Sequence, residues 1–261
     1  MKLHKTLVKN KPFIIAGPCS AETKSQILNT AKEICKKSFV NVFRAGIWKP
    51  RTKPNDFEGV GEIGLNWLKE VKETYKIPVI TEVANTRQTE SCLNNNIDMI
   101  WIGARTTVNP FYVQEIANVL KGVEIPVFVK NPIHGDVKLW AGAIERIHNS
   151  GNKRIIAIHR GCYSNHCFPL RNNPNWRMIK ELRKLLPDIE IICDPSHISG
   201  SPKFIQSISQ KAFDLNLNGL MIETHIKPNK ARTDAFQQIT PKQLECLLGS
   251  LINTTPKLLK K

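Results

Sequence analysis

Short apolar segments recur along the chain at nearly regular spacing, separated by stretches long enough for helices. Between the second and third segments, Leu65, Leu68, Val71 and Tyr75 follow one another at intervals of three and four, which predicts a helix with one apolar face. Each apolar segment reads as a strand, and the eight segments span residues 13–19, 41–46, 78–83, 99–104, 126–131, 155–161, 190–197 and 219–225.

The predicted strands are almost continuously apolar, which is typical of strands buried on both faces in a parallel sheet. Eight strand–helix units in 261 residues predict an α/β fold, a single (β/α)8 barrel, with an open doubly wound sheet as the alternative. We expect a short N-terminal leader over residues 1–12, the barrel over 13–250 and a C-terminal tail over 251–261.

Polar or charged residues stand at the ends of nearly all the predicted strands. In (β/α)8 barrels the active site lies at the carboxyl ends of the strands. The pattern therefore predicts one active site built from these strand ends, namely Cys19, Arg44, Glu82, Arg105, Lys130, Arg160, His197 and Glu223.

Four residues of this end have the chemistry of a metal site. Cys19 ends the first predicted strand, His197 the seventh and Glu223 the eighth, and Asp234 follows in the next loop. Strands 7, 8 and 1 are neighbours in a closed barrel, so these side chains can converge. A thiolate, an imidazole and two carboxylates suit Mn, Fe, Co or Zn, whereas Ca²⁺ and Mg²⁺ rarely take sulfur.

A second group of ligand-type residues follows the sixth predicted strand. Its spacing is tight and irregular compared with the usual zinc ligand pairs, so we expect an ordinary loop and keep a zinc site as the alternative. We also expect two other histidines near strand ends to be structural. The group comprises His159, Cys162, His166 and Cys167, and the two histidines are His134 and His225.

Basic residues face the predicted metal ligands across the barrel mouth. Without matching acids these cations would repel one another, which predicts a multiply charged anionic substrate. Arg51 and Thr52 lie on a loop stiffened by Pro50 and Pro54, and they are placed to hold a second phosphate. One metal and two anionic substrates suggest the joining of two phosphorylated metabolites. The cations of the mouth are Arg44, Lys49, Arg105, Lys130 and Arg160.

The net charge of +16 is also compatible with a protein that binds nucleic acid. However, the lysines are spread over the whole chain, without the alternation of aromatic and basic residues that stacks bases. We therefore expect no nucleic-acid partner. The seven cysteines do not follow disulfide spacings, and no apolar run suits a signal peptide or a membrane span. These features predict a cytoplasmic protein without a membrane partner.

Six motifs in order resemble 3-deoxy-D-arabino-heptulosonate 7-phosphate (DAHP) synthases, and most closely the short subtype related to 3-deoxy-octulosonate 8-phosphate synthases. The resemblance runs from Phe13 to the TPKQL segment. It implies a metal-dependent barrel that condenses phosphoenolpyruvate with erythrose 4-phosphate and releases phosphate, the first step of the shikimate pathway. The motifs are AGPCSAE, FRAGIWKPRT, IGARTTVNP, VFVKNP, DPSH and GLMIETH.

The resemblance also implies roles for individual residues. Cys19, His197, Glu223 and Asp234 correspond to the metal ligands of the family. Five cations and the backbone of Ala104 correspond to the phosphoenolpyruvate site of the family. The segment formed by Lys49, Pro50, Arg51 and Thr52 corresponds to its erythrose 4-phosphate site. We expect Asp194 to lie near the aldehyde and Glu82 near the reacting water. We expect these two residues, together with Lys49 and Lys130, to be catalytic. The five cations are Arg44, Lys49, Arg105, Lys130 and Arg160.

The resemblance also bears on assembly and on alternative functions. We expect a homo-oligomer, either a dimer or a tetramer, without an appended regulatory domain, and family behaviour suggests a separate chorismate mutase as a partner. One alternative function is that of a 3-deoxy-octulosonate 8-phosphate synthase using arabinose 5-phosphate, although that relative has an asparagine-bearing segment in place of residues 49–52. Another is a catalytically inactive basic barrel that binds nucleic acid.

Overall fold

The computed structural model describes residues 7, 12–36, 39–51, 53–166 and 168–254. Its eight parallel strands form a closed barrel in the order β1 to β8, and β1 pairs with β8 from Phe13 opposite Gly219 to Gly17 opposite Glu223. This closure confirms the predicted barrel and excludes the open doubly wound sheet. The strands are β1 Phe13–Gly17, β2 Val42–Arg44, β3 Val79–Val83, β4 Met99–Ile102, β5 Val127–Lys130, β6 Ile155–His159, β7 Glu190–Cys193 and β8 Gly219–Glu223.

Ten α-helices lie among these strands in the described part of the chain. Several begin at side chains that accept a hydrogen bond from a backbone amide of the first turn, as Asn85, Asn109 and Asp136 do. The helices are α1 Lys24–Cys35, α2 Ile63–Tyr75, α3 Thr86–Asn94, α4 Ala104–Thr107, α5 Pro110–Val119, α6 Val137–Asn149, α7 Arg177–Leu185, α8 Pro195–Ser199, α9 Ile205–Asp214 and α10 Pro241–Thr254. None of those described is both long and apolar enough to cross a bilayer.

The strands separate two apolar cores. The larger core lies between the strands and the surrounding helices, where the apolar faces of α2 and α6 are buried. The smaller core fills the barrel interior, and Leu7 of the leader also belongs to it. Its strand members are Phe13, Ile15, Val42, Ile80, Trp101, Phe128, Ile156, Ile158, Ile192 and Met221.

The next inward layer above this interior core is charged. Because side chains alternate between the two faces of a strand, the residue two positions after an interior residue also points inward. At that position two strands carry glycine, Gly17 after Ile15 and Gly103 after Trp101. The other six carry an ionisable residue, namely Arg44, Glu82, Lys130, Arg160, Asp194 and Glu223.

Three sequence predictions differ from the structure in detail. His197 does not end a strand but lies on the short helix α8, because Asp194 and Pro195 begin a helix directly after β7. Arg105 likewise lies on α4 rather than at the end of β4. The last helix extends to Thr254, four residues past the expected end of the barrel.

Candidate active site

A cleft of about 480 Å³ opens at the carboxyl ends of the strands. Strands β2, β5 and β8 each end at a charged residue on this side of the barrel, so the last side chain of each faces the cleft or its floor. Four of the predicted site residues, Arg44, Cys19, Asp194 and Glu223, are buried below the cleft. Ten of the predicted site residues line the cleft itself, namely Lys49, Pro50, Arg51, Glu82, Ala104, Arg105, Lys130, Arg160, His197 and Asp234.

The buried indole of Trp101 supports two cations of this site. The guanidinium of Arg44 lies 4.8 Å from the ring centroid and the ammonium of Lys130 lies 5.8 Å from it. At these distances the ring face attracts both cations. Arg44 is 1% exposed, and its Nη2 donates to Oε1 of Glu223 at 3.3 Å. Its Nε and Nη1 are buried without a hydrogen-bond partner among the described residues, so it has donors for an anion.

Lys130, Asp194 and His197 form a buried chain of contacts. Nζ of Lys130 donates to Oδ2 of Asp194 at 2.8 Å, and Nδ1 of His197 lies 2.8 Å from the same oxygen. Burial alone would raise the pKa of Asp194, but His197 and Lys130 lower that pKa well below its usual range. Asp194 is therefore an anion. It holds the His197 ring so that Nε2 faces Glu223 and Asp234 at 3.8 and 3.7 Å.

The remaining cations of the cleft differ in their surroundings. Lys49 Nζ donates to the carbonyl of Cys19 at 3.3 Å, and Arg160 Nη1 donates to Oδ1 of Asn172 at 3.2 Å. Burial lowers the pKa of Arg160 to about 10, and the neighbouring Arg171 and Arg105 add to this. The expectation that the cations lack matching acids is wrong for two of the five, because Glu223 contacts Arg44 and Asp194 contacts Lys130. Arg105 differs from the other cations in being exposed.

Glu82 occupies its place because β4 is followed by a glycine. A Cβ atom added at Gly103 would lie 2.0 Å from Oε1 of Glu82, so only glycine leaves room for this carboxylate. Burial alone would lower the pKa of Lys49, but Cys19, Glu82 and Glu223 raise it. Lys49 and Glu82 thus lie near each other at the β2–β3 side of the cleft.

The predicted metal ligands converge on the opposite side of the cleft. One ligand atom each from Cys19, Glu223 and Asp234 lies within 4.8 Å of the others. Sγ of Cys19 donates to Oδ2 of Asp234 at 3.3 Å. Burial raises the pKa of the Cys19 thiol, and the charge of Glu223 raises it further, so the thiol keeps its proton in this arrangement.

This donor set fits a divalent transition metal. The thiol and two carboxylates are close enough for one ion, and the free Nε2 of His197 faces both carboxylates. Asp194 behind His197 is the kind of second partner that orients metal-bound histidines. A cation would also offset the buried negative charge and favour the thiolate form of Cys19.

Comparisons with known proteins identify the family of this chain. The model of the DAHP synthetase I family matches residues 7–260. The chain belongs to the DAHP synthetase I family. It is 32% identical over 226 residues to a phospho-2-dehydro-3-deoxyheptonate aldolase of Thermotoga maritima, covering 87% of this chain and 64% of that protein. The chain thus spans less than two thirds of that relative.

Structures and further relatives extend the comparison. A crystal structure of the phospho-2-dehydro-3-deoxyheptonate aldolase (DAHP synthase) from Thermotoga maritima superposes with a TM-score of 0.86 at 28% identity, covering 98% of this chain and 72% of that one. A 2-dehydro-3-deoxyphosphooctonate aldolase of Desulfotalea psychrophila is 27% identical over 260 residues, with 92% and 88% covered. The family therefore has relatives of both activities at this distance.

The loop after β2 separates into two parts. Lys49 turns inward over Gly46, where an added Cβ would lie 3.1 Å from Cδ of Lys49. Arg51 faces the cleft farther out, and its Nη2 donates to Oδ2 of Asp56 at 3.1 Å. Thr52 lies outside the described residues. Lys49 thus reaches the floor of the cleft, while Arg51 lies nearer its mouth.

Two residues of the alternative zinc group, His159 and Cys162, make contacts outside that group. His159 Nε2 lies 2.5 Å from the carbonyl of Pro174, and burial lowers the pKa of His159 to about 4, so the ring is neutral. Cys162 contacts Sδ of Met178. In the described part of the chain, the cluster with Cys19 is the group found suitable for a metal. Cys167 lies outside that part.

Sequence reasoning missed several polar residues of this site. Arg171 and Asn172 line the cleft from the loop after β6, and Gln237 and Gln238 are buried below it after β8. The two glutamines follow Asp234 by three and four positions, a signal that could have placed them near the metal cluster. Arg171 has no such signal, because its loop is long and its partner residues are over 60 positions away.

We predict that Cys19 is required for binding a thiophilic metal. Protein loaded with Co²⁺ should show a sulfur-to-cobalt charge-transfer band in the near ultraviolet, because a coordinated thiolate transfers charge to this ion. Cys19→Ala should lose the band. Cys92→Ala, which removes another buried thiol on α3, should keep it. A band of full intensity in Cys19→Ala would exclude Cys19 as a ligand.

Proposed function

We propose that this protein condenses phosphoenolpyruvate with erythrose 4-phosphate and water to give DAHP and phosphate, as a transferase of the 3-deoxy-7-phosphoheptulonate synthase type. The observation that carries the proposal is the division of one cleft into a cationic side and a thiol–carboxylate side. Membership of the DAHP synthetase I family supports it. The product would serve chorismate and aromatic amino-acid biosynthesis.

The cationic side would hold phosphoenolpyruvate. Arg44 and Lys130 lie deepest, over the Trp101 ring, while Arg160 and Arg105 lie on the β6 and β4 sides of the cleft. A phosphate and a carboxylate on one small molecule would neutralise this set. The spare donors Nε and Nη1 of Arg44 support the assignment, because buried guanidinium N–H groups without an acceptor are costly.

Erythrose 4-phosphate would lie between the loop after β2 and the metal cluster. Arg51, with Pro50, Thr52 and Lys49, would hold its phosphate, and Arg51 would exchange its contact with Asp56 for that phosphate. This placement directs the aldehyde toward Asp234 and His197 on the far wall. Asp194 would act from behind His197.

The reaction then proceeds between two bound substrates held in reacting geometry. C3 of phosphoenolpyruvate forms a bond to the aldehyde carbon, and the aldehyde oxygen gains a proton. Positive charge develops at C2, where water adds and loses a proton. The C2–O bond to phosphate breaks while the new C2 hydroxyl gives up its proton, so C2 becomes the ketone and phosphate leaves with that proton. Glu82, next to Lys49 and across from Lys130, would accept the proton of the water.

Cys19, His197, Glu223 and Asp234 would hold the divalent ion, which we propose to be Mn, Fe, Co or Zn. When bound, the ion supplies Lewis-acid polarisation of a carbonyl oxygen. The chain's own contribution is the position and charge of the donors. Oδ2 of Asp194 fixes His197, and Arg44 contacts Oε1 of Glu223.

The six described cysteines are free thiols, as is typical of the reducing cytoplasm, where we place the protein. We also propose a homo-oligomer and, from family behaviour, a separate chorismate mutase as a partner.

A two-sugar assay tests the proposed reaction. With Mn²⁺ and phosphoenolpyruvate, we expect phosphate release with erythrose 4-phosphate and little or none with arabinose 5-phosphate. Residues 49–52 read KPRT, whereas the octulosonate synthases are expected to carry an asparagine-bearing segment there. Activity with arabinose 5-phosphate alone would replace the proposal by the octulosonate synthase reaction. Salt-sensitive binding of DNA or RNA without turnover of either sugar would favour the nucleic-acid alternative.

We predict that Arg51→Ala acts mainly on the aldose phosphate. Loss of a charged hydrogen bond should raise the KM for erythrose 4-phosphate about 10- to 100-fold, with a change of about threefold or less for phosphoenolpyruvate. Steady-state kinetics with each substrate varied in turn measures this. Arg87→Ala on α3, which removes an exposed arginine paired with Glu62, is the control and should change neither constant. Equal increases in both KM values would show that the loop is wrongly assigned.

A further inference from the structure

Two adjacent glutamines lie directly beneath the thiol–carboxylate cluster. Gln237 and Gln238 are each 2% exposed, in the loop between β8 and α10. Nε2 of Gln237 donates to Oε2 of Glu223 at 2.6 Å. Oε1 of Gln238 accepts from the backbone amide of Cys19 at 3.0 Å. Each glutamine therefore contacts a different residue of the cluster.

Arg171 joins this arrangement from the loop after β6. Its Nη1 donates to Oε1 of Gln237 and, at 2.9 Å, to Oδ1 of Asp234. The arginine passes over Gly200, where an added Cβ would lie 2.5 Å from Cβ of Arg171. Arg171 and Gln237 together thus contact both carboxylates of the cluster, and the contact links two loops that are distant in sequence.

The backbone around the glutamines is itself fixed. Ile239 donates to the carbonyl of Glu223 at 3.0 Å and accepts from the amide of His225 at 2.9 Å, so the loop returns to the end of β8. Nε2 of Gln238 also donates to the carbonyl of Thr233 at 2.9 Å. The side chains of both glutamines consequently start from a backbone that is pinned to the strand carrying Glu223.

The choice of an amide has a physical consequence for Glu223. Arg44 donates to Oε1 and Gln237 donates to Oε2, so both oxygens of the carboxylate have a donor that fixes its plane. A neutral amide orients the carboxylate without cancelling its charge, whereas a second cation would compete with a metal for it. Gln237 therefore suits a position behind a ligand rather than one that neutralises an acid.

We propose that Gln237 is a positioning residue for the metal site, assisted by Gln238 and Arg171, and that it sets metal affinity and coordination geometry. This inference rests on the proposed function, because it takes Cys19, Glu223 and Asp234 as ligands. Groups that orient metal ligands in this way typically contribute about 10- to 100-fold to affinity.

The test uses the full chain after removal of bound metal by a chelator. Gln237→Met keeps the length of the side chain and removes both of its hydrogen bonds. We expect its Kd for Mn²⁺ to rise about 10- to 100-fold, and the ligand-field bands of the Co²⁺ form to shift. A purely structural role would lower the Tm of the metal-free protein and leave both readouts unchanged. Gln206→Met, on the exposed side of α9, is the matched control.

Each outcome decides the inference. A Kd for Mn²⁺ within about twofold of the unaltered chain, with an unchanged Co²⁺ spectrum, would overturn it while leaving the metal site in place. If circular dichroism shows that Gln237→Met does not fold, Gln237→Ala replaces it under the same criteria, since it also removes the donor to Glu223 and the acceptor for Arg171. Failure of the unaltered chain to bind either metal would overturn the proposed metal site and this inference with it.

Discussion

The rest of this structure depends on one constraint, which is that ionised side chains lie buried directly above the apolar interior of the barrel. Arg44, Lys130, Asp194 and Glu223 are almost completely buried, and unpaired charges at such positions would be very costly. The structure compensates them in pairs, Arg44 with Glu223 and Lys130 with Asp194, and places the Trp101 ring under both cations. These pairs hold the four side chains in place.

The Arg44–Glu223 pair also joins the two halves of the cleft. Arg44 belongs to the cationic side of the cleft, and Glu223 belongs to the cluster with Cys19 and Asp234. At the proposed sites, a metal bound to Glu223 would weaken the hold of this carboxylate on Arg44, and an anion bound to Arg44 would weaken the hold of Arg44 on Glu223. The two ligands should therefore favour each other through this one contact, in addition to their direct attraction.

The sequence was sufficient for the barrel and for the strand-end residues at the cleft, because both follow from local periodicity. Charged residues two positions beyond interior residues must point to the same end of the barrel, as Val42 and Arg44 illustrate. It was not sufficient for the pairing of the charges, since Arg44 and Glu223 are 179 positions apart. Strand ends were also misjudged where a proline begins a helix, as at Pro195, and Arg171 gave no local signal at all.

The claim that the two halves form one site is tested most directly by titrating phosphoenolpyruvate calorimetrically into the metal-free chain and into the chain saturated with Mn²⁺. The account predicts that Mn²⁺ tightens phosphoenolpyruvate binding at least about fivefold, a coupling of about 1 kcal/mol, and that phosphoenolpyruvate tightens Mn²⁺ binding by the same factor. Equal affinity for phosphoenolpyruvate with and without Mn²⁺ would contradict it.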